Sequence, residues 1–145
     1  MQEKVYNLNV FEELNNKKVD PKVYSPLVLA YIGDAIYEIF VRDYIVKKAN
    51  APVNKLHKEA KQYVKASGQA KMYHKIKDIL TEEEFAVLKR GRNARSATSP
   101  KNGDIIEYRL ATGVEALVGF LYLQNNNKRL ATIMEIGMKE IERNN

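Results

Sequence analysis

The chain has 145 residues, 45% apolar and 29% charged, and its 24 Lys and Arg against 18 Asp and Glu give a formal charge of +6. That size and balance fit one globular domain with a core of its own. The absence of cysteine excludes disulfides and thiolate metal sites and fits a reducing compartment. No stretch reaches about 18 uncharged apolar residues, so no membrane span is expected, and Met1-Gln-Glu-Lys-Val lacks the pattern of a secretory signal.

Residues 1–24 are polar and irregular, with a weak helical start at Asn9–Leu14, and read as an N-terminal extension to a domain spanning 25–145. Ser25 followed by Pro26 is an N-cap and first-turn pair. The helix it opens runs to about Lys47, with Leu27, Ala30, Tyr31, Tyr37 and Val41 on one face together with Asp34. After Ala51-Pro52 a second helix reaches about Ala66, and Ser67 is placed to cap a third that runs to Leu80. Thr81-Glu-Glu-Glu84 matches a capping box and predicts a fourth helix from Glu82 to about Arg90. Gly91 to Gly103, rich in Ser, Thr, Asn and Pro, reads as a loop. Asp104, with Glu107 three residues on, caps a fifth helix ending near Gln124. Asn125–Asn127 makes a short turn, and Asn127 caps a last helix to about Glu142. No strand pattern and no repeat is present, so the fold class is all-α.

The charge is unevenly spread. Nine lysines and one acid, Glu59, lie between Lys47 and Lys77, and Phe85 to Gly103 holds Lys89, Arg90, Arg92, Arg95 and Lys101 with no acid. Such clusters favour an anionic partner, with nucleic acid ahead of a membrane surface. Lysines at the spacings of the first cluster also suit a plain solvated helix face. The arginines of the second, set in a loop, are harder to explain that way.

Against this basic background, two apolar helical stretches each carry a carboxylate in the middle: Asp34 in Ser25–Val41 and Glu115 in Tyr108–Leu123. A carboxylate on the buried side of a helix is costly unless paired, hydrogen-bonded or bound to a metal. Small residues flank both, Gly33 beside Asp34 and Ala111, Thr112 and Gly119 beside Glu115, so another helix or a ligand can approach closely. Two such helices packed together would bring the acids to one groove, where paired oxygen ligands suit a partly hydrated Mg²⁺. Taken singly, each acid could instead be structural, answering Arg42 or Arg109. His57 and His74 have no partner at zinc-ligand spacing and read as surface residues.

Three blocks narrow the reading. Tyr31-Ile-Gly-Asp34-Ala-Ile resembles the signature helix of ribonuclease III catalytic domains, and Gly113-Val-Glu115-Ala-Leu-Val-Gly-Phe-Leu-Tyr-Leu resembles their second acidic helix. Leu88-Lys-Arg-Gly-Arg-Asn-Ala-Arg-Ser-Ala-Thr-Ser-Pro-Lys-Asn102, followed by Tyr108-Arg-Leu-Ala-Thr112, resembles the Mini-ribonuclease III family, whose members have this catalytic domain without a double-stranded-RNA-binding domain. Full-length ribonuclease III enzymes carry further acids where this chain has Ala30 and Thr112, substitutions expected of the Mini-III branch.

The resemblance implies a symmetric homodimer that hydrolyses double-stranded RNA endonucleolytically with Mg²⁺, Mn²⁺ being able to substitute. Asp34 and Glu115 would be catalytic and hold the metal. Read from position alone, Glu38, one turn beyond Asp34, could orient metal-bound water or be merely the polar end of its helix, and Thr112 beside Glu115 is a further candidate for orienting that water. Lacking a separate binding domain, the chain would grip RNA with Lys89, Arg90, Arg92, Asn93, Arg95, Ser96 and Lys101, and less centrally with Lys58, Lys61 and Lys65, since A-form duplex is read through phosphates and 2′-hydroxyls. It further implies cytoplasmic maturation of large-subunit (23S) ribosomal RNA precursor ends, with a ribosomal protein or pre-ribosomal particle as a candidate partner. Two alternatives stay open on sequence alone: a non-catalytic RNA-binding module of the same fold acting in ribosome assembly, and a helical protein-interaction domain whose acids are structural.

Overall fold

A computed structural model describes residues 9–95 and 103–143, and among these no strand forms. Two 3₁₀ turns, Asn9–Phe11 and Pro21–Val23, precede helix α1, Pro26–Lys48. Ser25 caps α1 by accepting the Val28 N–H at 3.3 Å, and Pro26 takes the first helical position. Leu29, Ala30, Gly33, Ile36, Tyr37, Val41 and Ile45 of α1 are buried. The expected inward face is therefore rotated: Leu27 is 38% and Tyr31 83% exposed. This helix is apolar on both sides, so periodicity alone does not choose its buried face.

Helices α2, Val53–Val64, and α3, Ala66–Ile76, meet at an elbow centred on Lys65. Gly68 shapes the elbow, because a Cβ there would strike the Gln62 carbonyl oxygen. Ser67 lies inside α3 rather than capping it, and α3 begins without a side-chain cap. The Tyr37 hydroxyl donates to the Tyr63 carbonyl at 2.6 Å, which ties the elbow to α1. A 3₁₀ turn, Lys77–Ile79, leads to α4, Glu82–Asn93. Both bonds of its capping box are present: Glu84 N–H to Thr81 Oγ1 at 3.1 Å and Thr81 N–H to Glu84 Oε1 at 2.9 Å.

Helix α5, Ile105–Leu123, is the axis of the fold and packs against α1, α3, α4 and α6. Asp104 Oδ1 caps it, accepting from Ile106 at 2.8 Å and Glu107 at 3.3 Å. It ends where Asn125 turns left-handed (φ 61°), with Asn126 N–H bonded to the Leu121 carbonyl and Asn125 N–H to that of Tyr122, both at 3.0 Å. Helix α6, Asn127–Arg143, then closes the core through Leu130, Ile133, Met134, Met138 and Ile141. Each fully buried side chain of this size is worth about 1.5–3 kcal/mol.

Two polar ties fix α6. Glu84, 5% exposed, accepts two bonds from Arg129, each at 2.9 Å, while Arg129 also donates to the Ile79 carbonyl at 2.8 Å. Burial works against charge on Glu84, but Arg129 and Thr81 prevail and its carboxyl is held below the usual range. At the other end, Glu142 accepts from the hydroxyls of Tyr44 at 2.6 Å and Tyr63 at 2.7 Å.

Candidate active site

Helices α1 and α5 approach to backbone contact through two glycines. A Cβ on Gly33 would strike the Glu115 carbonyl oxygen, and one on Gly119 would strike that of Leu29. This reciprocal approach sets Asp34, the next residue after Gly33, beside Glu115, with their side chains within hydrogen-bonding reach. Asp34 stands on the exposed rim, not the buried side of its helix, whereas Glu115 is half-buried. Burial, and then the adjacent Asp34 carboxylate, push the Glu115 carboxyl up to about 8. Gln69 of α3, 3% exposed, works in the opposite sense as a hydrogen-bond donor. Beneath the pair, burial and then Glu115 raise the proton affinity of the Tyr37 hydroxyl, which remains a neutral donor to Tyr63.

Two like-charged groups this close keep a proton or attract a cation. Among the described residues no group of three or more His, Cys, Asp or Glu is gathered for a metal. Among the described residues the donor set is the two carboxylates, which fits a divalent cation that retains much of its water. His57 and His74 are both exposed, as expected of surface residues.

The candidate supporting groups have other partners. Glu38 accepts from Arg42 Nε at 3.1 Å on the surface of α1, so Arg42 answers Glu38. The Thr112 hydroxyl donates to the Tyr108 carbonyl one turn back at 3.0 Å.

The basic cluster is differently built than a loop. Helix α4 continues through Gly91 to Asn93, because Gly91 packs closely on α5: a Cβ there would lie 2.7 Å from Ala116 Cβ and 2.9 Å from Gly113 Cα. The last turn of α4 is thus anchored on α5 against Ala116, the residue after Glu115. Arg92 is half-buried and held in place, donating from Nη1 to the Tyr73 hydroxyl at 3.0 Å and from Nε to Asn93 Oδ1 at 3.1 Å. Lys89, Arg90 and Arg95 are exposed, with Lys89 5.5 Å from the Phe85 ring centre. Ser96 and Lys101 lie outside the described residues. Lys58, Lys61 and Lys65 are exposed along α2 and its end.

Nothing in the sequence singles out Gln69 or Tyr73. Neither lies in a charge cluster, and what distinguishes them is the α2–α3 elbow and the close packing of Gly113, which no spacing rule reports.

The ribonuclease III domain family matches residues 27–126, which include Asp34, Glu115 and the whole of α4. A Mini-ribonuclease 3 of Clostridium tetani is 53% identical over 120 residues, 82% of this chain and 80% of that one. The chain belongs to the Mini-ribonuclease 3 family. A Thermoanaerobacter Mini-ribonuclease 3 is 51% identical over 81% of this chain and 83% of its own. A crystal structure of a Fusobacterium nucleatum protein superposes with a TM-score of 0.75 at 35% identity, covering 85% of this chain and 98% of that one. Family and fold together make the chain an endoribonuclease, of a family that acts on double-stranded RNA. The non-catalytic module and the interaction domain are thereby set aside. No helix among the described residues is long and apolar enough to cross a membrane.

Proposed function

We propose that the chain is a Mg²⁺-dependent endoribonuclease that hydrolyses double-stranded RNA and matures the ends of large-subunit (23S) ribosomal RNA precursor in the cytoplasm, acting as a homodimer. The observation that carries the reading is the meeting of Asp34 and Glu115 from distant parts of the chain, beside the arginine-bearing end of α4. Asp34 and Glu115 would hold the cation. When bound, it supplies the positive charge that an attacking water and a scissile phosphate require in hydrolysis.

The chain's own groups account for the rest. The backbone contact at Gly33 and Gly119 fixes the spacing of the carboxylates. Arg92, oriented by Tyr73, would take an RNA phosphate with its guanidinium, while Lys89, Arg90 and Arg95 give exposed charge along the backbone of the duplex. Asp34→Asn and Glu115→Gln remove one donor each from the cation while preserving shape.

Support for the dimer comes from the outer face of α1. Leu27, Val28, Tyr31, Ile39 and Val46 are 38–83% exposed there, a row of apolar groups along the helix. A second copy of α1 would cover it and set two sites on one duplex. Incubating a 23S precursor stem with the protein, with and without Mg²⁺, and mapping the product ends tests the reading. Cation-dependent cuts at the mature ends support it; cuts that ignore the cation, or none in a naked or ribosome-assembled precursor, contradict it.

A further inference from the structure

Asn93 is the last residue of α4, and its side chain is held although it is exposed. Arg92 Nε donates to Asn93 Oδ1 at 3.1 Å, and Arg92 Nη1 donates to the Tyr73 hydroxyl at 3.0 Å. Tyr73 is 3% exposed and packs on Gly113, where an added Cβ would lie 3.3 Å from Tyr73 Cε2. The helix itself is pinned at Gly91 against Gly113 and Ala116, which bracket Glu115 in α5. A buried ring thus fixes a half-buried guanidinium, and the guanidinium fixes an amide on the surface. An arginine only donates, so the amide oxygen of Asn93 turns toward it and the Nδ2 hydrogens turn away.

The end of α4 therefore presents two kinds of donor: cations on Lys89, Arg90, Arg92 and Arg95, and a neutral amide on Asn93. Phosphate oxygens match the cations. A neutral amide suits a neutral acceptor, and A-form RNA displays a row of them, the 2′-hydroxyls along its wide, shallow minor groove. Holding the amide in advance removes the ordering cost that a loose asparagine would incur on binding.

We propose that Asn93 reads the ribose: oriented by Arg92, its Nδ2 donates to a 2′-hydroxyl and supplies a share of the preference for RNA over an A-form duplex lacking that group. The inference rests on the double-stranded-RNA reading above. It divides the end of α4 between affinity, carried by the cations, and ribose identity, carried by the amide. Loss of one neutral hydrogen bond corresponds to about a fivefold change in binding.

The test compares an RNA duplex with the same duplex carrying 2′-fluoro groups, which keep the A-form and every phosphate but remove the hydroxyls. Dissociation constants are measured by fluorescence anisotropy, in EDTA and in Ca²⁺, for wild type, Asn93→Asp, Asn93→Ala and Lys89→Ala. Wild type is expected to prefer the hydroxylated duplex. Asn93→Asp keeps an oxygen for Arg92 and loses the donor. Its added charge lowers affinity for both duplexes, and the preference should narrow about fivefold. Asn93→Ala, which adds no charge, should narrow it by at least as much. Lys89→Ala should weaken both duplexes equally and leave the preference at its wild-type value. An undiminished preference in both Asn93 variants would overturn the inference and leave Asn93 a tether of Arg92, duplex binding itself standing. Equal binding of the two duplexes by wild type, or a narrowing in Lys89→Ala as large as in Asn93→Asp, would also overturn it. Binding of neither duplex by wild type in either buffer would remove the double-stranded-RNA reading, and this inference with it.

Discussion

Replacing Glu115 by Gln should stabilise the cation-free protein at alkaline pH even as it abolishes cleavage. Burial and Asp34 raise the Glu115 carboxyl from 4.5 to about 8. Below pH 4.5 the group is protonated both folded and unfolded, and it contributes nothing. As pH rises the unfolded chain ionises first, so stability is lost progressively until the folded carboxyl also ionises near pH 8. At about 1.4 kcal/mol per pKa unit the full loss is bounded near 5 kcal/mol. Solvent reaches the half-buried carboxyl, so about 2–3 kcal/mol is the expected size after screening. Gln has no charge to bury and escapes this loss. Urea denaturation of wild type and Glu115→Gln in EDTA, at pH 5 and pH 8.5, measures it: the variant should gain on the wild type by that amount between the two pH values. Added Mg²⁺ should restore wild type at pH 8.5 and leave the variant unmoved. Parallel pH dependence in the two proteins would refute the description of Glu115 as a desolvated acid crowded by Asp34.

Gly33→Ala should wedge α1 from α5, since its Cβ meets the Glu115 carbonyl; a loss of about 1–3 kcal/mol or more in thermal melting is expected, together with loss of cleavage. Arg129→Met leaves Glu84 buried without its cation and should cost about 2–3 kcal/mol at pH 7, the third-exposed guanidinium discounting the full buried-pair value. Because the Glu84 carboxyl is held low, that difference is fully present above the ordinary carboxylate range and is lost as pH falls through the lowered folded value, so urea denaturation should show it smaller at pH 3.5 than at pH 7. Arg92→Ala should lower duplex affinity and flatten its salt dependence by about one unit in a log–log plot, and Tyr73→Phe should do part of the same by freeing the guanidinium. If two copies pair through α1 as proposed, Tyr31→Asp should yield monomers in sedimentation; a wild-type protein already monomeric while cutting would contradict that pairing.

Helix boundaries were readable wherever a side chain declares them. Ser25-Pro26, the Thr81–Glu84 box and Asp104 each cap the helix expected of them. The boundaries that failed are set by backbone packing. Ser67 has the chemistry of a cap, yet the chain has already turned at Lys65, where Gly68 closes on Gln62. Gly91 reads as a helix stop, but against Ala116 and Gly113 its missing side chain is what lets α4 continue. The covered face of α1 is not legible in the sequence, because the helix is apolar on both sides and only its neighbours decide which stripe is buried. For the site, the two acids were visible as charges in apolar helices, and the resemblance singled them out together. Their distance, the placement of Gln69 and the tethering of Arg92 by Tyr73 depend on contacts between separate helices. Glu84 shows both cases at once: its capping bond is local and legible, its pairing with Arg129 is neither.

The most direct test of the account is single-turnover cleavage of an end-labelled RNA duplex in Mg²⁺ by wild type and Asp34→Asn, with duplex binding measured for both. The account predicts equal binding, cation-dependent cutting by the wild type, and no cutting by the variant. Cleavage by Asp34→Asn at a rate near that of wild type would contradict it.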